Sequence, residues 1–89
     1  MRHLRSRQFD KLFDALPLDA QRAAHHAYVL LKADPRHPSL HFKRLQSSGA
    51  YWSVRVGMHY RAIAKDVDGA FLWGWIGTHA DYDRIIKAL

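Results

Sequence analysis

A change of apolar period at a pair of prolines constrains this chain more than any other feature. Before Asp34-Pro35-Arg36-His37-Pro38 the apolar residues recur with the roughly 3.6-residue period of a helix, and beyond it with the period of about 2 that belongs to a strand. Proline fixes φ and lacks an N–H, so two prolines this close end any helix. Phe9, Leu12, Phe13 and Leu16 stand at i, i+3, i+4 and i+7, the stripe of a short amphipathic helix that Ser6 can cap and Pro17 ends. Asp19 is placed to cap a second helix that runs through Leu30 and Leu31 to about Ala33. Its Ala20, Ala23, Ala24 and Ala27 would let the two helices approach closely, as a hairpin.

Past the prolines, Leu40 to Leu45 reads as a short strand and Gln46-Ser47-Ser48-Gly49 as a turn. Tyr51 to Val56 alternates, with Trp52, Val54 and Val56 on one face and Tyr51, Ser53 and Arg55 on the other. Gly57-Met58 is a tight connection to a strand over His59–Lys65. Asp66-Val67-Asp68-Gly69 is a hairpin turn, and Ala70–Ile76 is the next strand, ended by Gly77. Asp81 to Leu89 predicts a short terminal helix with Ile85, Ile86 and Leu89 inward. The fold class is therefore α+β: an N-terminal helical hairpin packed on one face of a small antiparallel β-sheet, with a short C-terminal helix. At 89 residues the chain makes a single domain, residues 1–89. It has no cysteine, so no disulfide framework and no thiolate metal site is expected. It has no apolar run of membrane-spanning length and no signal-peptide stretch in MRHLRSRQF, so a cytoplasmic protein is expected.

Charge narrows the partners. Fourteen Lys and Arg against eight acids leave a net +6, and every acid is Asp. Between Pro35 and Lys65 there is none, while Arg36, Lys43, Arg44, Arg55, Arg61 and Lys65 all fall there. A basic stretch of this kind suits an anionic partner such as nucleic acid; its plain alternative is a solvated surface.

Arg55 and Arg61 fall on strands that pair across Gly57-Met58, so both can point to one side of the sheet and grip a phosphate. Pairing with Asp66 or Asp68 is the structural alternative. His79 stands at the end of a strand, and histidine is the side chain best suited to moving protons near neutrality. Its alternative is a histidine that merely starts a helix. Tyr82, three residues on, either meets the same substrate or covers the edge of the core. Trp73 and Trp75, two apart, are expected on one sheet face, as core or as a stacking platform. The seven histidines have no zinc-ligand spacing, no G-x-S-x-G marks a nucleophile elbow, and no Gly-rich phosphate loop appears; no metal or other cofactor is expected.

The strings DPRHPSLHFKRL, YWSVRVGMHYRAIA and WGWIGTHADYDRII resemble the RelE/ParE superfamily of toxins from type II toxin–antitoxin modules, over Phe9–Ile86. The resemblance implies a metal-independent endoribonuclease that cuts mRNA on the ribosome, the 2′-hydroxyl attacking the adjacent phosphate. It implies Arg61 and Arg55 as phosphate-binding residues, His79 as the proton carrier and Tyr82 as the residue that orients or stacks the substrate. Lys43, Arg44, Arg36 and Lys65 would form the RNA-binding patch. It also implies an acidic cognate antitoxin and a toxin–antitoxin hetero-oligomer. Three departures stand out: Ser53 falls where some members carry a second catalytic lysine, no Glu is available as a base, and the first strand is shortened. The superfamily's other branch poisons DNA gyrase and implies no nuclease. A non-toxic basic RNA-binding module is a third reading.

Overall fold

The computed structural model describes residues 2–46 and 49–89. Among them β1 (Arg2–Arg5), α1 (Arg7–Asp14), α2 (Leu18–Ala33), a 3₁₀ turn (Pro38–Leu40), β2 (Lys43–Arg44), β3 (Tyr51–Val56), β4 (Tyr60–Val67), β5 (Ala70–Thr78) and α3 (His79–Ala88) follow in order. The strands form one five-stranded sheet in the order β1-β5-β4-β3-β2. β2 to β5 are an antiparallel meander, as expected. β1 is not part of that pattern: it lies parallel to β5, with Leu4 opposite Leu72, so the sheet is mixed. It is the shortened first strand that the family resemblance implies, and a four-residue run reading Arg-His-Leu-Arg has too little apolar alternation to show it by pattern alone.

Local chemistry accounts for the boundaries. The Ser6 hydroxyl accepts from the Phe9 N–H at 3.1 Å and starts α1. α2 starts two residues earlier than expected, at Leu18 after Pro17, and Asp19 bonds the adjacent Ala20 N–H from inside the first turn rather than capping it. The stretch before β2 is not strand: Pro38 tightens it into a 3₁₀ turn, and His41 turns left-handed at φ 45°. The expected turn through Ser47-Ser48 lies outside the described residues. At the β4–β5 hairpin, Val67 pairs with Ala70 and both Asp68 and Gly69 have positive φ, so the turn is the two-residue Asp-Gly form. β5 runs through Gly77 to Thr78, whose hydroxyl accepts from the Asp81 N–H and starts α3 two residues before the expected position.

Helices cover both faces of the sheet, not one. Under α1 and α2 lie Val54, Val56, Ala62, Ala64, Phe71, Trp73 and Ile76, the main core. The alanines of α2 bring it close to the sheet: Ala27 is part of the main core, Ala23 and Ala24 pack against it, and a Cβ on Gly57 in the β3–β4 connection would stand 3.3 Å from that of Ala23. Between α1, α2 and the sheet remains an apolar cleft of about 630 Å³ that Phe9, Phe13, Tyr28 and Trp73 help to line. On the opposite face α3 packs Tyr82, Ile85 and Ile86 against Leu45, Ile63 and Trp75.

Trp73 and Trp75 therefore face opposite sides, against expectation. Ile63 pairs with Trp75 while the adjacent Ala64 pairs with Trp73, which leaves Gly74 as an extra residue in β5. This β-bulge shifts the alternation by one, so Trp73 enters the main core and Trp75 the second. Neither is a freely exposed stacking pair.

Candidate anion-binding site on the α3 face

The alternation of β3 and β4 places Tyr51, Ser53 and Arg55 together with Arg61, Ile63 and Lys65 on the face that carries α3. Arg55 and Arg61 are directly opposite in the β3–β4 ladder. In such pairs the Cβ atoms lie about 5 Å apart, and like charges repel unless an anion joins them. Among the described residues neither arginine is in an ion pair with Asp66 or Asp68; Asp66 instead accepts from the Gly69 N–H at the far end of β4. The Arg55 Nε donates to the Gly57 carbonyl at 3.1 Å, which fixes its stem. The Arg61 Nε is buried and has no hydrogen-bond partner among the described residues.

Tyr82 sits beneath Arg61. Its ring centroid is 5.6 Å from the guanidinium carbon, a cation–π arrangement, and its hydroxyl hydrogen-bonds the Ser53 Oγ at 3.0 Å. Ser53 is wholly buried and Tyr82 is 5% exposed. Tyr82 thus meets the structural alternative read from sequence, covering the second core, and its ring also supports Arg61.

His79 is the first residue of α3. Its N–H donates to the His59 carbonyl at 2.8 Å, joining the helix start to the β3–β4 turn. Its ring meets that of Tyr82 edge-on at 5.9 Å, and its Nδ1 is 3.2 Å from an Asp83 carboxylate oxygen. Arg61 and His79 therefore share one aromatic support. The positive end of the α3 dipole points toward the same corner, where Arg61 pairs with Gly77.

The basic patch divides. Lys43 pairs with Ser53 and Lys65 with Tyr51, so both lie on the α3 face, with the Lys65 ammonium 6.0 Å from the Tyr51 ring centroid. Arg44 pairs with Trp52 and lies on the other face, its Nε donating to the Gly49 carbonyl at 2.6 Å. Arg36 stands exposed in the turn after α2, and its N–H is held by Asp34. The strands thus gather Arg55, Arg61, Lys43 and Lys65, and leave out Arg44 and Arg36.

Two groups at this corner escaped sequence reasoning. Asp83 had a signal, its i+4 spacing from His79, whereas the His59 carbonyl had none because backbone contacts across a sheet leave no mark in residue order.

A small sheet with an N-terminal helical pair and a basic face beneath a C-terminal helix defines an RelE-like toxin fold. The family model for the ParE-like toxin domain matches residues 19–84, and the chain belongs to that family. Its fold is similar to that of the toxin in the RelB-RelE antitoxin-toxin complex of Methanococcus jannaschii, at TM-score 0.71 and 16% identity, covering 91% of this chain and 96% of that one. YafQ from E. coli strain BL21(DE3) matches at TM-score 0.66 and 24% identity, over 92% and 98% of the two chains. The isolated E. coli RelE toxin matches at TM-score 0.66 and 12% identity, over 99% and 98%. No curated protein matches the chain.

Proposed function

We propose that this chain is the toxin of a toxin–antitoxin pair and cleaves ribosome-bound mRNA with Arg61, Arg55 and His79. The observation that carries the reading is the opposed arginine pair, with a buried Arg61 Nε that has no partner among the described residues, beside a histidine at a helix start. Such a pair suits a dianionic pentacoordinate phosphate better than a ground-state phosphodiester, which is what lowers a barrier. The 2′-oxygen bonds to phosphorus as the P–O5′ bond breaks, giving a 2′,3′-cyclic phosphate and a 5′-hydroxyl. The 2′-hydroxyl proton passes to His79, and the departing 5′-oxygen takes a proton from solvent water. Tyr82 acts as a positioning residue under Arg61 and His79. Lys43 and Lys65 extend the RNA contact along the same face, while Arg44 and Arg36 add charge from outside it. The reaction belongs in the cytoplasm, with the ribosomes.

The cognate partner is an acidic antitoxin that folds as it covers the basic chain, in keeping with the RelB-RelE complex among the structural neighbours. The ParE-like family model keeps gyrase poisoning as the competing activity. Purified protein is to be tested on mRNA-programmed ribosomes and on a gyrase supercoiling reaction. Cleavage with unaffected supercoiling is the expected result. Blocked supercoiling with intact mRNA would transfer the function to gyrase.

A further inference from the structure

We infer that Asp83 is a positioning residue for His79, holding its ring so that Nε2 faces the RNA as the proton acceptor. The inference rests on the nuclease reading above.

An exposed i,i+4 pair on a helix ordinarily contributes little to stability, and this one is half exposed on both sides, at 48% and 54%. Its significance is directional. The His79 backbone is fixed by the His59 carbonyl, its ring edge by Tyr82, and its Nδ1 by the carboxylate of Asp83. A carboxylate only accepts, so the 3.2 Å contact requires Nδ1 to carry the hydrogen. In the neutral ring Nε2 is then the free lone pair, the atom a general base needs. The other acid of that turn is already engaged: Asp81 pairs with Arg84, and its N–H is held by Thr78. Asp83 is thus the carboxylate of that turn left to orient the ring, and among the described residues neither Arg55 nor Arg61 is in an ion pair with it.

The test has two readouts on the full chain. Nitrogen chemical shifts of the His79 ring in alkaline buffer report the tautomer without reference to activity. The wild type is expected to hold its hydrogen on Nδ1, and Asp83→Asn to shift toward the Nε2–H form that free imidazole favours. Asp81→Asn, which removes a charge from the same turn but not the contact, should leave the tautomer unchanged. On programmed ribosomes Asp83→Asn should lower the single-turnover cleavage rate about tenfold with the concentration dependence preserved, a smaller loss than His79→Ala. Asp83→Glu should recover part of the rate. Unchanged tautomer and unchanged rate in Asp83→Asn would overturn the inference, as would a shifted tautomer at full rate. A wild type that does not cut would overturn the nuclease reading itself, and the positioning role with it.

Discussion

Burying a guanidinium N–H without a partner costs free energy, and among the described residues the Arg61 Nε–H has none, opposite a second arginine. Two supports hold it in place: the Tyr82 ring below and the β4 backbone, both parts of the second core. The hydroxyl of Tyr82 ends on the wholly buried Ser53, so a longer side chain at that position would have to displace Tyr82. Tyr82→Phe keeps the ring but leaves the buried Ser53 hydroxyl without its partner. The expected cost is about 1–2 kcal/mol, read as a lower urea midpoint at unchanged slope. An unchanged midpoint would mean that the Tyr82–Ser53 bond contributes nothing to holding α3.

At the level of elements, β5 decides where aromatic mass goes. The bulge at Gly74 sends Trp75 to the α3 side, and its ring then lies over Gly77, where an added Cβ would meet Trp75 Cζ2 at 2.5 Å. Gly77→Ala is therefore expected to displace the ring and destabilise by about 1–3 kcal/mol, with Trp75 fluorescence changed. β1 is held by a side-chain bond: the Trp73 Nε1–H donates to the His3 Nδ1 at 3.0 Å, and the imidazole stacks near Phe71 and Trp73. Burial, reinforced by nearby positive charge including Lys32, lowers the His3 pKa from the usual 6.5. The folded chain then binds fewer protons at His3 than the unfolded chain does, so this stability is full above 6.5 and is lost as pH falls toward the lower folded value. Stability of the wild type should drop between neutral and mildly acid pH, and His3→Phe should remove part of that slope in paired urea titrations. Equal slopes would detach β1 from His3 titration. The helical hairpin, the meander and the Arg55–Arg61 pairing were legible because each depends on a local period or a short turn. The fate of the tryptophans and the parallel pairing of the short first strand were not, because a bulge depends on cross-strand register and a four-residue edge strand on a partner some 70 positions away.

Across the whole molecule, the sheet separates two surfaces. One is apolar under α1 and α2; the other gathers Arg55, Arg61, Lys43 and Lys65 beside α3. With a net charge of +6, the basic face suits an anionic partner, and the proposed function predicts that RNA and an acidic antitoxin compete for it. The central claim is that the Arg61 corner breaks mRNA. Its most direct measurement is primer extension on abundant transcripts within minutes of inducing the chain in bacteria, with Arg61→Ala alongside. Cuts inside translated codons, reduced about 10²–10³-fold by Arg61→Ala, are the predicted result. Growth arrest with intact transcripts, or cuts that persist at full strength in the variant, would contradict it.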